Sequence, residues 1–182
     1  MKPVNPLAQL QARQNGTGLV NLIVDTPKGS RNKFRYDDKL GLFRLSKRLP
    51  LGMAFPYDFG FIPSTLGEDG DPLDVLLVSD VPAFPGCLVG VQLLGVLEAE
   101  QREEQKTQRN DRLIAIPVTP YNPPELASLL DLGKTQLSEI EHFFVSYNEA
   151  EGRTFRVIAR LGPEAAERHL DEGVRKFTQR GE

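Results

Sequence analysis

The sequence predicts an α+β fold, a small closed β-barrel from the first part of the chain with helices supplied by the second. Three observations predict it. Short apolar runs recur from residue 21 to residue 116, broken by Gly, Pro and Asp turns, which is the spacing of a small barrel. From Lys134 onward the apolar period lengthens to three and four residues, which is the period of an amphipathic helix. At 182 residues with 40% hydrophobic content, the chain suits one domain, 1–182, with a single core.

Each element has a local reason. Asn21-Leu22-Ile23-Val24 is an apolar strand ended by Asp25-Thr26-Pro27 and the turn Lys28-Gly29-Ser30. Lys33-Phe34-Arg35-Tyr36 alternates charge and ring, giving a strand with one polar face. Residues 40–45 and Phe59-Gly60-Phe61-Ile62 follow, then Val75-Leu76-Leu77-Val78, the longer run 88–97 and Arg112-Leu113-Ile114-Ala115-Ile116. Pro124-Glu125 opens a short helix through Leu132, with Pro in its first turn. Leu137, Ile140, Phe143, Phe144 and Tyr147 form one face of a helix over residues 134–149. Residues 153–161 alternate as a strand. Gly162-Pro163-Glu164 then starts a last helix with Ala166, Leu170, Val174 and Phe177 on its apolar face. Residues 98–112 carry five acidic and four basic residues with only Ala99 apolar, so they read as a solvated hairpin tip. Residues 1–17 read as a loosely ordered extension.

Composition narrows the function. A net charge of −3 argues against coating nucleic acid, and the chain has no Trp for base stacking. No apolar run approaches the ~20 residues that span a bilayer, and the N-terminus lacks a signal-peptide pattern. A single cysteine, Cys87, forms no internal disulfide, and a cytoplasmic location is expected. The two histidines, His142 and His169, do not make a zinc cluster.

The informative segment is Glu68-Asp69-Gly70-Asp71-Pro72-Leu73-Asp74-Val75. Three aspartates in six residues repel one another unless cations neutralise them. Pro72 biases Asp71 toward extended backbone, and the apolar run after Asp74 anchors the turn at the mouth of a strand. Hard oxygen donors grouped this way suit Mg²⁺ or Mn²⁺. An EF-hand is excluded by the positions of Pro72 and Asp74. A plain Asp-Gly turn explains one or two of these acids, hardly three.

Asp69-Gly70-Asp71-Pro72-Leu73-Asp74-Val75 resembles the signature of soluble family I inorganic pyrophosphatases. The preceding Met53-Ala54-Phe55-Pro56-Tyr57-Asp58-Phe59-Gly60-Phe61-Ile62-Pro63 is similar to the same family. So, in order, are Leu94-Gly95-Val96-Leu97, Arg112-Leu113-Ile114-Ala115-Ile116-Pro117 and His142-Phe143-Phe144 with Tyr147. The resemblance implies an OB-like five-stranded barrel with flanking helices, a homo-oligomer (hexameric in bacteria) and Mg²⁺-dependent hydrolysis of pyrophosphate to two phosphates. It implies metal ligation by Asp69, Asp71 and Asp74, with Asp71 also acting on the water. It further implies phosphate binding by Lys33, Lys47, Arg112 and Tyr147. Taken singly, the three cations read as surface charges, and Tyr147 fits core packing equally well.

Several positions depart from that pattern. Asp25 stands where the family has Glu, Arg35 where it has an acid, and Gln101 and Asn110 where it has acids. Phe55 and Phe59 replace tyrosines, Asn148 replaces a lysine, Lys47 stands where the family usually has Arg, and Arg112 where it usually has Lys. The pocket therefore holds fewer metal ions and more positive charge than a complete family site. Two functions stay open: a pyrophosphatase of altered rate or substrate preference, and a non-hydrolytic relative that binds phosphate, pyrophosphate or a nucleotide.

Overall fold

Strand pairing, rather than strand number, sets this architecture. The computed structural model describes Leu7, residues 10–119 and residues 125–181. Its strands are β1 (Val20–Thr26), β2 (Asn32–Asp37), β3 (Leu42–Arg48), β4 (Asp58–Phe61), β5 (Asp74–Leu77), β6 (Leu88–Glu103), β7 (Lys106–Arg109), β8 (Arg112–Pro117) and β9 (Thr154–Leu161). The helices are α1 (Lys134–Glu149) and α2 (Pro163–Gly181). β1 pairs with β4, β4 with β5, β5 with β8, β8 with β6, and β6 returns to β1. That is a closed ring of five strands, the α+β, OB-like barrel expected, and closure leaves the ring without an exposed edge. β6, sixteen residues long, continues past the ring to pair with β7 and β9.

The alternation along each strand partitions the core. Val75 and Leu77 of β5 join a cluster with Ala165, Ala166 and Leu170 of α2, whereas Leu76 joins Ile140 and Phe144 of α1. Leu113 and Ala115 of β8 divide from Ile114 and Ile116 in the same way, as a two-residue period requires. β1 is buried along its whole length. Its polar Asn21 is satisfied by Gln11 O, to which Nδ2 donates at 2.8 Å, and by Ala12 O, which accepts from the Asn21 N–H. Arg13 adds ion pairs to Glu167 and Asp171 of α2 at 2.6 and 2.9 Å. Residues 1–6, 8 and 9 lie outside the described residues.

β2 and β3 form a separate antiparallel hairpin, joined to the barrel where the Phe34 N–H donates to Thr26 Oγ1 at 3.1 Å. The hairpin carries charge on both strands and only a thin apolar seam, so it stands off the core.

Two expectations are corrected. Within the described residues, the helix expected from Pro124 to Leu132 is a single 3-10 turn over Leu129–Leu132, and Pro124 itself lies outside them. Ser128 and Asp131 explain the late start. The Ser128 side chain accepts from Leu130 N and Asp131 Oδ2 accepts from the Ser128 N–H, a reciprocal cap that places the helix start after Ser128. The stretch 98–112 is a hairpin, but not merely a solvated one. Gln101 and Arg112 are buried, and Asp111, which accepts from Arg109, engages His169 of α2. Among the described residues no helix is long and apolar enough to cross a membrane.

Candidate active site

β5 and β8 run parallel with Val75 opposite Leu113, so their first residues, Asp74 and Arg112, start side by side. Arg112 Nη1 lies 2.7 Å from Asp74 Oδ2. The guanidinium is almost fully buried, 5.9, 5.5 and 5.7 Å from the ring centroids of Phe59, Phe144 and Phe155, a setting in which ring faces offset part of its desolvation. Nη1 also donates to Asn110 Oδ1 and, at 3.0 Å, to Asp111 O. Arg112 Nε is buried with no hydrogen-bond partner. Asn110 Nδ2 in turn donates to Gln101 Oε1 at 2.6 Å. Gln101, Asn110, Arg112 and Asp74 therefore form one continuous polar chain.

The acidic loop between β4 and β5 sits over this chain. Gly70 adopts φ +86°, a conformation that favours glycine, and Gly67 N–H donates to Asp71 O at 2.7 Å. Asp69 Oδ1 accepts from the Asp71 N–H at 3.1 Å, and burial pushes the Asp69 carboxyl up. Arg35 of β2 reaches across to pair with Asp71.

Asp25 is aimed by an irregularity in β1. Val24 pairs with Gly60 and Thr26 with Phe59, leaving Asp25 as the extra residue of a bulge. Gly60 permits the close approach, since a Cβ there would lie 2.0 Å from Ile23 O. The Asp25 carboxyl is pushed up to about 7 by burial, with Lys33 pulling it down and Asp74 adding to the rise. Its Oδ1 is buried without a partner.

Aromatic rings bind the cationic side of the site together. Lys33 Nζ is 5.0 Å from the Phe59 centroid and 5.4 Å from that of Tyr147, and Lys47 Nζ is 5.2 Å from Tyr147. Lys47 also pairs with Glu151. The Tyr147 hydroxyl is buried without a hydrogen-bond partner, and burial pushes the phenol up against the pull of Lys47. Tyr147 thus belongs both to the core and to this cation-lined face. Asn148 does not face the site. It is buried and donates Nδ2 to Phe144 O at 2.8 Å, within α1.

Nearly the whole chain is similar to proteins of one family. The family model described as inorganic pyrophosphatase matches residues 22–178. The chain belongs to the inorganic pyrophosphatase family. The inorganic pyrophosphatase of Geobacillus stearothermophilus is 34% identical over 161 residues, 88% of this chain and 95% of that protein. That of Halalkalibacterium halodurans is 38% identical over 159 residues, 87% of this chain and 95% of its own. The crystal structure of inorganic pyrophosphatase from Thermus thermophilus superposes with a TM-score of 0.85 at 30% identity, covering 94% of this chain and 98% of that one.

Membership of the inorganic pyrophosphatase family implies use of a divalent metal, and the residues here fit one unevenly. Asp69, Asp74 and the unpartnered Asp25 oxygen are hard donors of the kind Mg²⁺ takes. Yet Asp74 and Asp71 each already face a guanidinium, and among the described residues no three His, Cys, Asp or Glu come together as a cation cluster. Behind Asp74 the fit fails. The Gln101 and Asn110 amides are neutral and hydrogen-bonded to one another.

One polar group was missed by the sequence reading. A cavity of about 250 Å³ opens between the acidic loop, Arg109–Arg112 and the α2 residues His169, Gly173 and Lys176. His169 Nε2 lies 3.2 Å from Asp111 Oδ2 and 3.5 Å from Glu98 Oε1. The only sequence signal was an Asp and a Glu thirteen residues apart in the charged hairpin, and nothing local pairs them with a histidine so far along the chain. Asp111, in the short connection between β7 and β8, is thereby turned toward α2, away from Asn110's partners.

Proposed function

We propose that this chain hydrolyses inorganic pyrophosphate to two phosphates in the space bounded by the acidic loop, the β2–β3 hairpin and α1. The observation that carries the reading is that carboxylates and buried, unpartnered donors are found together. Asp74 sits against Arg112 with Asp71 in the loop just before it, and the unpartnered donors Arg112 Nε and Tyr147 Oη, with Lys33 over the Tyr147 ring, complete the set. Buried donors without partners are costly, and a phosphate oxygen satisfies them.

In this reading Asp71 takes a proton from the attacking water as the new P–O bond forms and the bridging P–O bond breaks. Lys33, Arg112 and Tyr147 hold the charge that develops on the departing phosphate, in surroundings where such donors act strongly. Lys47 holds the same phosphate face through its position over Tyr147. A divalent ion, Mg²⁺ with Mn²⁺ as substitute, would be held by Asp69 and Asp74 with Asp71 and would supply charge neutralisation and a more acidic bound water. Family resemblance supports a homo-oligomer, a hexamer, and a cytoplasmic setting.

A second reading, binding of phosphate, pyrophosphate or a nucleotide without turnover, is favoured by one observation: the arginine already occupying the Asp71 carboxylate. Phosphate release from pyrophosphate with Mg²⁺, with Mn²⁺ and without metal decides between them, on protein free of host pyrophosphatase. Metal-dependent release above background supports hydrolysis. Binding without release supports the second reading.

A further inference from the structure

The polar chain behind Asp74 ends in two amides that satisfy each other. Asn110 Nδ2 donates to Gln101 Oε1, and Asn110 Oδ1 accepts from Arg112. A hard divalent cation has no carboxylate to take there. What does occupy the place is a positive charge, the Arg112 guanidinium, buried, 2.7 Å from Asp74 and flanked by three aromatic rings. A guanidinium carries five N–H groups in a fixed plane. Here Nη1 serves Asp74, Asn110 and Asp111 O, while Nε stays buried and unpaired. A planar fork of this kind can hold a carboxylate on one edge and a phosphate on the other.

We propose that Arg112, closed from behind by Asn110 and Gln101, stands in for one divalent cation of this site, clamping Asp74 and offering Nε to the substrate. Pyrophosphate then binds together with a single metal ion at the acidic loop. This rests on the pyrophosphate site proposed above and deepens it by naming the form in which the anion is taken. Arg35 supports the same economy of metal at the mouth. Its side chain is 63% exposed and touches Asp71, so its remaining N–H groups are open to an incoming phosphate oxygen. Lys47 contributes less net charge, since Glu151 neutralises it.

The test is a binding measurement with methylenediphosphonate, whose P–C–P link does not hydrolyse. Its affinity is measured by calorimetry across a range of buffered free Mg²⁺. Linkage makes the slope of log affinity against log free Mg²⁺ the number of ions taken up with the analogue. A slope near one is expected for the wild type, and a slope of two or more overturns the proposal. Arg112→Gln removes the fixed charge. Affinity is expected to fall about 10- to 100-fold at low Mg²⁺, the range for a charge-assisted hydrogen bond, and to recover in part at high Mg²⁺ as metal fills the place. A deficit that is the same at every Mg²⁺ concentration overturns the proposal. Should Arg112→Gln fail to fold, the double variant Gln101→Asp, Asn110→Asp decides. It restores carboxylates behind Arg112 and is expected to raise the slope, and an unchanged slope counts against the proposal. The wild-type protein binding no analogue at any Mg²⁺ overturns the pyrophosphate site itself, a different failure from binding with too steep a slope.

Discussion

Asp74 and Arg112 meet at 2.7 Å because they begin two strands that run in the same direction, in the one parallel pairing of the five-strand ring. In an antiparallel pair the two strand starts lie at opposite ends and their side chains are kept apart. Barrel topology therefore places a carboxylate and a guanidinium at one mouth. Closing the ring with β6 on the far side of β8 brings Asn110 and Gln101 to the same place.

Removing one member of this pair leaves the other desolvated. Asp74→Asn is expected to lower stability by about 1–3 kcal/mol, the range for a buried donor that loses its partner, and to weaken metal binding. Urea unfolding measures the first and Mn²⁺ titration the second. An unchanged urea midpoint would mean that Arg112 is satisfied by Asn110 and Asp111 O alone.

Gly60 tests the bulge that aims Asp25. A Cβ there would come within 2.0 Å of Ile23 O and 2.9 Å of its carbonyl carbon, backbone atoms that cannot rotate away. Gly60→Ala is expected to destabilise the protein by about 1–3 kcal/mol or more, as overpacking does, by pushing β4 off β1. A urea midpoint equal to that of the parent would show that the two strands separate freely.

Much of this was legible in the chain. The α1 face set by Leu137, Ile140, Phe144 and Tyr147 follows from period alone, and α1 spans the residues expected. The barrel strands were visible because alternation and Gly/Pro punctuation are local signals. Two features were not local. The extension of β6 to Glu103 is stabilised by β7 and β9, while its own residues there are polar. The pairing of Arg35 with Asp71 joins a hairpin to a loop thirty-six residues on. Asn148 is different: it lies one turn after Phe144 on the same buried face of α1 and donates to Phe144 O, so a position read as a lost cation is a structural one.

His169 gives a pH dependence. Nδ1 lies 2.8 Å from Ala165 O and Nε2 lies 3.2 Å from Asp111 Oδ2, so both ring nitrogens face acceptors. Neutral imidazole has one N–H to donate, imidazolium two. The His169 pKa is raised, chiefly by the hydrogen bond to Asp111, with burial opposing and Glu98 assisting. Arg109 shares Asp111 and Glu98, and Glu172 lies close enough to feel the His169 charge. A raised folded pKa stabilises fully below the unfolded value of about 6.5, and the gain is lost as pH climbs through the folded value. His169→Gln is therefore expected to lower Tm most near pH 6, with the deficit shrinking by pH 9. A deficit that stays constant or grows with pH runs against this account.

Asp71 separates hydrolysis from capture. Its carboxylate is half exposed and paired with Arg35, and the proposed reaction needs it to accept a proton from water. Asn has nearly the same shape, yet an amide is no useful base near neutral pH. Asp71→Asn is expected to reduce metal-dependent phosphate release by about 10²-fold or more, the general-base range. Affinity for methylenediphosphonate, measured at saturating Mg²⁺ so that weaker metal binding does not mask it, is expected to hold or rise, since a negative charge leaves the pocket and Arg35 is freed to meet a phosphate oxygen. The wild-type rate is expected to be low in absolute terms, because Phe59 offers no hydroxyl and Asn148 is turned into α1. The ratio of variant to parent is therefore the decisive quantity, rather than either rate. If parent and variant release phosphate at one background rate while both bind the analogue, the pocket captures its anion without cleaving it.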